Sequence, residues 1–372
     1  MRTRTAFVLL TMFLLASCSS TPRTTMATPT SRVYHGTASV GDFMTITVDS
    51  SAQTISYTDL SNSTSGTVPY TINSDGTYTL SDPTGNLVGA YEVPNYALLI
   101  QAAKTGPNAD TPALITAVES GQISMSTFEA QPYNYMQFRT AAGGLEVGSI
   151  SVNSSGVGSN SSFWPYGAYN SGNQGQSPFN SGTIDMSQAQ LDSSGTFLKI
   201  PDPGSSGVFD YVFGTANGIF AVDTQNGAIL GLKKAARPAF DPSVAGTYKA
   251  IFYQKTGAST GAGNVETGTA SLGNATLVVT SGGQVTVSNA QGNQMVQGTL
   301  IPVASVSYLY ISGGSELQDP CNGVFTFRIT TQGVSQQDVF VTFMDKAMLF
   351  SSFTANLAQP GTYSYFYGVG LN

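Results

Sequence analysis

The sequence predicts an all-β protein built from three tandem antiparallel units, each a small meander barrel or sandwich of roughly 110 residues. Three observations lead to this prediction. Short runs alternate between apolar and polar residues, turn-forming residues separate these runs, and a set of short motifs recurs in the same order along the chain. The composition fits a folded chain, because 41% of the 372 residues are hydrophobic and 20 Phe and 18 Tyr are available to fill a core.

The alternating runs begin close to Val33, where the folded part is expected to start. Clear examples are Phe43–Val48, Gln53–Tyr57 and Gly76–Leu80, in which β-branched and aromatic residues recur with a period of two. That period is typical of strands with one buried face. The best helical stretch, Ile184–Leu191, is short and bounded by Gly and Ser, so we expect little helix.

Recurring motifs set the alignment of the units. The first is a strand end that runs into a tight turn, at Val48–Ala52, Val152–Gly156 and Val279–Gly283. The second is a Gly-Thr pair followed by an apolar residue, at Gly66–Val68, Gly182–Ile184 and Gly298–Leu300. Two more motifs align the second and third units, Gly207–Tyr211 with Gly323–Phe327 and Gly218–Val222 with Asp338–Thr342. Chance recurrence in a β-rich chain is the alternative to a true repeat.

An aromatic strand pattern sets the predicted boundaries. It occurs at Tyr133–Phe138, Gly246–Tyr253 and Gly361–Tyr367. If this strand closes each unit, the units span 33–140, 141–255 and 256–372, and closure removes exposed sheet edges. The alternative architecture is a single closed ring, such as a β-propeller, in which the final strand completes the first unit.

The N-terminus has the pattern of a signal peptide. Arg2 and Arg4 precede the apolar stretch Ala6–Ala16, which is interrupted only by Thr11. About a dozen such residues are too few for a helix that crosses a bilayer core of about 30 Å. We therefore expect export rather than a transmembrane anchor.

The apolar stretch ends in Leu15-Ala16-Ser17-Cys18, which resembles the lipobox of bacterial lipoproteins. The resemblance implies that the signal peptide, residues 1–17, is removed and that acyl chains such as palmitate anchor Cys18 in a lipid bilayer. Residues 18–32 are rich in Ser, Thr and Pro and are expected to form a flexible tether. Ser19, not Asp, follows Cys18, and by the same resemblance this directs the protein to the outer membrane, on either its periplasmic or its surface side.

Residues that could carry catalysis or bind metal are few. Once Cys18 is lipidated, Cys321 is the only free thiol, so no disulfide can form within the mature chain, and no His or Cys lies near enough in sequence to complete a zinc site. His35 is the only histidine, and the single Gly-x-Ser-x-Gly string, Gly257–Gly261, is part of a glycine-rich loop that leads into a strand pattern and not into the helix that a nucleophile elbow requires. We expect no metal, no cofactor and no catalytic residue, which favours a protein that is not an enzyme.

Charge further limits the partners. Only 9% of the residues are charged, and the formal net charge of −7 becomes −9 when Arg2 and Arg4 are removed with the signal peptide. This balance argues against nucleic acid as a partner. The acids are scattered through the chain, so sequence spacing does not pair two of them for hydrolysis; they include Glu92, Glu146, Asp185, Asp210, Asp223 and Glu316.

An aromatic insertion interrupts the second unit at 157–180. Its centre holds the only Trp of the chain, and the candidate ligand contacts are Phe163, Trp164, Tyr166 and Tyr169. Flat aromatic rings beside Asn and Gln suit the apolar faces and hydroxyls of sugars, and they suit protein contacts equally. The alternative interpretation is that these rings pack on the neighbouring sheet and bind nothing.

These observations favour a membrane-anchored lipoprotein of the cell envelope with a non-catalytic role in binding, adhesion or scaffolding. A glycan, another envelope component or an envelope protein would be its partner. Two alternatives stay open. The first is a hydrolase of extracellular polymers with paired carboxylates, for which Asp185, Asp210 or Asp223 would have to converge in a cleft. The second is a β-barrel that carries a hydrophobic ligand in a large apolar cavity.

Overall fold

Three antiparallel sheets follow one another along the chain in the computed structural model, so the predicted all-β class with three tandem units is confirmed. The structure describes residues 30–83, 85, 87–103, 112–129, 131–139, 144–163, 179–202, 207–237, 239–258, 267–303, 322–329, 337–355 and 362–372. Helix is scarce within these residues, as the weak helical periodicity predicts; α1 (Met125–Glu129) has five residues, and a 3-10 turn spans Pro242–Val244.

The first sheet is a closed eight-stranded barrel in which every strand pairs with its sequence neighbours and the last strand returns to the first. Its strands are β1 (Ser31–Ala38), β2 (Phe43–Asp49), β3 (Thr54–Asp59), β4 (Thr64–Ile72), β5 (Tyr78–Leu80), β6 (Leu87–Val93), β7 (Ala97–Ala102) and β8 (Ala113–Glu119).

The second sheet has nine strands in the order β12-β11-β10-β9-β17-β16-β15-β14-β13. They are β9 (Tyr133–Arg139), β10 (Gly144–Val152), β11 (Val157–Phe163), β12 (Phe179–Asp185), β13 (Gln190–Leu191), β14 (Leu198–Pro201), β15 (Phe209–Gly214), β16 (Ile219–Thr224) and β17 (Gly227–Lys233).

The third sheet repeats this design in the order β21-β20-β19-β18-β26-β25-β24-β23-β22. Its strands are β18 (Gly246–Ala258), β19 (Thr267–Val279), β20 (Gln284–Asn289), β21 (Gln294–Thr299), β22 (Ile301–Pro302), β23 (Val324–Ile329), β24 (Gln337–Met344), β25 (Ala347–Ala355) and β26 (Thr362–Leu371).

One pairing rule is common to the three sheets: the first strand lies between the second strand and the last. Strand β1 pairs with β2 and β8, β9 pairs with β10 and β17, and β18 pairs with β19 and β26. Each unit is therefore a meander that curls back on its own first strand. The final strand β26 completes the third unit and not the first, so the single-ring alternative is wrong.

The predicted unit boundaries are corrected by the same pairings. The aromatic strand β9 pairs with β10 and β17, and the aromatic strand β18 pairs with β19 and β26, so each of them is the first strand of its unit. The predicted unit boundaries at 140 and 255 require these strands to be the last of their units, and both boundaries are therefore wrong. The sequence could not decide this, because an aromatic strand looks the same at either end of a meander. Strand β1 also starts at Ser31, inside the predicted tether 18–32, and Arg32 is already buried.

Two of the recurring motifs occupy equivalent positions. The Gly-Thr motif lies in the fourth strand of the first two units and at the end of that strand in the third, where Leu300 follows β21. The turn motif begins at the end of the second strand in each unit. The turn ends at a residue with a positive φ, which is Gly156 in the second unit, Gly283 in the third, and Gln53, one residue past the motif, in the first. The carbonyl of this residue accepts a hydrogen bond from a backbone N–H within or just beyond the fourth strand; the donors are Met186, Leu300 and Tyr70, respectively. The two later motifs do not occupy equivalent strands. They match β15 with β23 and β16 with β24, whereas the sheet order places β15 at the position of β24 and β16 at the position of β25.

Four buried clusters hold residues 31–372 together as one unit. Three of them lie within single sheets, and the fourth is a shared core that joins all three sheets. Phe43 of the first barrel stacks on Tyr211 of the second sheet with ring centroids 4.4 Å apart, and Phe138 stacks on Tyr367 of the third sheet at 3.7 Å. Each such pair contributes about 0.5–1.5 kcal/mol beyond the burial of its area. The shared core therefore fixes the units against one another.

None of the helices that the structure describes is long and apolar enough to cross a membrane.

Candidate functional site

A polar cleft lies between the outer face of the first barrel and the outer face of the third sheet. Its volume is about 270 Å³. Strands β5, β6 and β7 form one wall together with the turn after β4, and β18 and β19 form the other. Side chains with hydrogen-bonding or aromatic groups dominate the lining; they are Asn73, Asp75, Thr77, Thr79, Tyr91, Gln101, Lys249, Asn274 and Thr276.

The alternation of the barrel strands places these groups on the outer face. Gly89 pairs with Thr79 on one side and with Gln101 on the other, so the three residues form a row across β5, β6 and β7. The intervening residues Tyr78 and Ala90 turn inward to the barrel core. A Cβ at Gly89 would lie only 3.0 Å from Oε1 of Gln101. The Gln101 amide therefore lies directly over Gly89, where any larger residue would displace it.

The opposite wall is built by the pairing of β18 with β19. Lys249 pairs with Thr276, so a hydroxyl lies beside the ammonium group, and Ile251 pairs with Asn274, so an amide lies beside an apolar side chain. Ile251 belongs to the shared core, so the base of the cleft is fixed by packing between the units.

An ion pair joins the two walls. Lys249 Nζ lies 3.2 Å from Oδ2 of Asp75, donates a hydrogen bond to the Asp75 carbonyl, and stands 5.5 Å from the ring centroid of Tyr91. A hydrogen bond from the Thr77 hydroxyl, at 2.6 Å, is the main reason that the pKa of Asp75 is lowered. Because the Asp75 side chain is 58% exposed, the pair contributes less than about 1 kcal/mol to stability. Its main effect is that the two charges in the cleft neutralise each other.

A local network orients the turn after β4. The Asn73 amide donates to Oγ1 of Thr77 at 2.9 Å and to Oγ1 of Thr79 at 3.1 Å. This turn is Asn73-Ser-Asp-Gly76, and Gly76 has a φ of +81°, which suits glycine. The side chains on this wall are thus preorganised by bonds within the same wall.

A buried ionic network lies behind the same wall, inside the barrel. Glu92 accepts hydrogen bonds from Arg32 Nε at 2.7 Å and Arg32 Nη2 at 2.8 Å, and from the hydroxyls of Tyr34 and Tyr78 at 2.6 Å each. The bond to Glu92 raises the pKa of Arg32, and burial raises the pKa of Tyr34 and Tyr78. The network ties β5 and β6 to β1, so it positions the strands whose outer faces form the cleft.

His35 lies where the first barrel meets the second sheet. Its Nε2 is within hydrogen-bond distance of Thr196 Oγ1 at 2.8 Å and Ser120 Oγ at 2.9 Å, and its ring contacts Phe43 and Phe197. Burial lowers the pKa of His35 to about 4, and Asp192 opposes this only in part. The imidazole is therefore neutral near pH 7 and belongs to the packing between units.

Of the three acids on which a hydrolase would depend, Asp210 and Asp223 lie on the paired strands β15 and β16, close enough for their charges to interact, whereas Asp185 lies on β12 at the edge of the same sheet. Asp223 is fully buried against the first barrel, where Thr37 donates to it at 2.5 Å and burial raises its pKa well above the usual value. Asp210 is half-buried, and burial followed by the charge of Asp202 raises its pKa to about 6. Asp185 is exposed and accepts a hydrogen bond from the backbone of Ser187. Across the described residues, no group of three or more His, Cys, Asp or Glu is placed to hold a metal.

The interior of the first barrel is filled by side chains. Tyr34, Ile46, Val48, Ile55 and Leu98 are each completely buried there, and the Glu92 network occupies part of the same interior. This packing does not support the alternative that the first barrel carries a hydrophobic ligand in a large apolar cavity.

Residues 164–178 of the predicted aromatic insertion lie between β11 and β12 in the sequence, and the pairing of these two strands reaches Phe163 and Phe179. Trp164, Tyr166 and Tyr169 lie outside the described residues, and so do Cys18 and Cys321. The corresponding hairpins have only residues 60–63 and 290–293 between their strands, compared with 164–178 here. The extra residues therefore fall within the predicted insertion 157–180.

The cleft itself was not predicted. Its residues come from three distant segments of the chain, and in sequence they read as ordinary outward-facing strand and turn positions. The turn at Asn73–Gly76 was the only local feature, and such turns are common in β-rich chains.

No protein-family model matches this chain, and no curated protein matches it. Among solved structures, the chain matches isotype 1 transferrin binding protein B from serogroup B Neisseria meningitidis, with 12% identity and a TM-score of 0.28. The match covers 89% of this chain and 66% of that chain. Similarity at this level carries no inference about function.

Proposed function

We propose that this protein is a lipid-anchored component of the bacterial cell envelope with a non-catalytic binding role. The polar cleft between the first barrel and the third sheet is the observation that carries the binding role. Its polar lining consists of amides, hydroxyls, one tyrosine ring and one internally neutralised ion pair. These groups suit recognition, whereas hydrolysis requires a nucleophile with its base or two carboxylates at the site.

The anchor is proposed from the sequence. Leu15-Ala16-Ser17-Cys18 resembles a lipobox, and Ser19 after Cys18 favours the outer membrane. Two or more acyl chains on Cys18 would hold the protein stably, because each buried CH₂ contributes about 0.8 kcal/mol. Residues 19–30 would then connect the bilayer to the barrel that starts at Ser31.

Metabolic labelling with an alkyne-tagged fatty acid tests the anchor, since the chain has only two cysteines. The full chain is expressed in a Gram-negative host as wild type, Cys18→Ser and Cys321→Ser. We expect label and membrane fractionation for wild type and Cys321→Ser, and loss of both for Cys18→Ser. Equal labelling of all three proteins, or none, would overturn the proposed anchor.

The aromatic insertion is proposed as a second contact surface, through Phe163, Trp164, Tyr166 and Tyr169. Trp164 is the only Trp, so its fluorescence reports on this segment alone. The soluble chain from Ser19 onward is titrated with oligosaccharides, peptidoglycan fragments and purified envelope proteins. A saturable change that Tyr166→Ala and Tyr169→Ala weaken would support the contact. A signal that no partner changes would assign the insertion to packing.

A further inference from the structure

We propose that the cleft between the first barrel and the third sheet binds a short neutral saccharide. This inference rests on the proposed binding function and names the chemical class of the ligand. The supporting observation is the arrangement of polar side chains on the two walls. One wall carries the row Thr79, Gly89 and Gln101, with the ring of Tyr91 beside it. The other wall carries Asn274 and Thr276.

The charges in the cleft favour a neutral ligand. Asp75 and Lys249 are paired at 3.2 Å, and Lys249 also donates to the Asp75 carbonyl. A carboxylate or phosphate on the ligand would have to compete with Asp75 for the ammonium, and the net negative charge of the chain opposes its approach. A cationic ligand at the same place would be repelled by the ammonium group of Lys249. A ligand without charge leaves this pair intact.

The unused hydrogen-bonding capacity favours a ligand rich in hydroxyls. Within the part of the chain that the structure describes, the side chains of Gln101, Asn274 and Thr276 make no hydrogen bond to another residue. An amide offers two donor hydrogens and an acceptor oxygen, and a hydroxyl both donates and accepts. A sugar presents the same dual groups at adjacent carbons. Groups of this kind on both walls can bind one ring from two sides.

The apolar surfaces fit the remaining faces of a sugar. The half-buried ring of Tyr91 and the side chains of Val88 and Ile251 line the cleft between the polar groups. The C–H face of a pyranose is flat and apolar and packs on such surfaces. The volume of about 270 Å³ lies just below the usual small-molecule range of about 300–1,000 Å³, so the cleft fits a monosaccharide or disaccharide and not a long chain held along its length.

Binding is tested by isothermal calorimetry and ligand-observed NMR with the soluble chain from Ser19 onward. The probes are maltose, cellobiose and N,N′-diacetylchitobiose, after a glycan microarray that also contains sialylated and sulfated sugars. We expect a neutral sugar to bind and Gln101→Ala to weaken it about tenfold, which corresponds to about 1.4 kcal/mol. Gln297→Ala is the matched control, because Gln297 is exposed on β21 and does not line the cleft.

Three further variants separate contact from folding. Gly89→Ala places a Cβ 3.0 Å from the Gln101 amide oxygen, and Gly89 does not have a positive φ, so the variant is expected to fold while it loses affinity about tenfold or more. Tyr91→Phe keeps the ring and is expected to bind within about twofold of wild type, whereas Tyr91→Ala is expected to bind at least tenfold more weakly. Circular dichroism checks that each variant retains its strands.

Three results would overturn the inference: no sugar binds, charged sugars bind in preference to neutral ones, or neutral sugars bind and no cleft variant changes the affinity. Cys18 labelling is measured on full-length chains that carry the same substitutions. If labelling persists while sugar binding fails, the saccharide inference is wrong and the envelope role stands. If labelling fails while cleft variants weaken sugar binding, the anchor is wrong and the cleft assignment stands.

Discussion

The single histidine offers a direct test of how the first barrel and second sheet are packed. His35 is only 5% exposed and is surrounded by Phe43, Phe197 and Phe213, so burial lowers its pKa to about 4. An unfolded histidine titrates near 6.5. The folded state therefore prefers the neutral imidazole, and the stability that this preference gives is fully present above about pH 6.5 and declines as the pH falls towards 4.

The magnitude follows from the separation of the two pKa values. At about 1.4 kcal/mol for each pH unit between them, the full effect is about 3 kcal/mol, and about 2 kcal/mol of it is lost between pH 7 and pH 5. The reference protein is His35→Phe, which keeps an aromatic ring beside Phe43 and Phe197 and has no histidine to titrate. We expect wild type to lose about 2 kcal/mol more than His35→Phe over this range, measured by urea unfolding.

NMR provides the matching microscopic measurement. Because the chain contains one histidine, the imidazole Cε1–H resonance needs no assignment, and its chemical shift against pH gives the pKa directly. A midpoint close to 4 would agree with the buried interface. A midpoint near 6.5, with the same pH dependence of unfolding in wild type and His35→Phe, would refute the described contact between the first barrel and the second sheet.

Three further predictions concern stability. Glu92→Ala should cost about 3–5 kcal/mol in urea unfolding, because Arg32 remains inside the barrel without its carboxylate, and a loss below about 1 kcal/mol would contradict the network. Asp223→Asn should stabilise the protein at pH 7, since burial raises the pKa of Asp223 and favours its protonated form; the gain should vanish as the pH falls towards 4, and a pH-independent effect would count against it. Gly156→Ala should destabilise the protein by about 2 kcal/mol and Gly76→Ala by about 1 kcal/mol in thermal unfolding, because both glycines have a positive φ but only a Cβ at position 156 would lie 3.0 Å from the Met186 backbone. Equal losses of stability would argue against that contact.

The strands and their threefold recurrence could be predicted because they depend on local patterns. Alternation in Phe43–Val48 becomes β2, and the turn motif after Val48, Val152 and Val279 falls at the same place in each unit. Where each unit begins depends on pairing, which local patterns do not contain. The local pattern at Tyr133–Phe138 therefore predicts a strand correctly but places it in the wrong unit.

The residues of the candidate site are even harder to predict from local sequence patterns than the unit boundaries. Gln101 and Asn274 are far apart in sequence and face one cleft only because the shared core fixes the barrel against the third sheet. Glu92 is one of several scattered acids in the sequence, and its role depends on Arg32, Tyr34 and Tyr78 from two other strands. Tertiary packing creates both features, so single-sequence patterns could not indicate them.

The most direct test of the central claim, a lipid-anchored envelope protein, is the intact mass of the protein extracted from membranes, together with the mass of its N-terminal peptide. The account predicts a mature chain that begins at Cys18 and carries covalently attached acyl groups on that residue. A chain that retains Arg2 and Arg4, or one cleaved elsewhere with an unmodified Cys18, would contradict it.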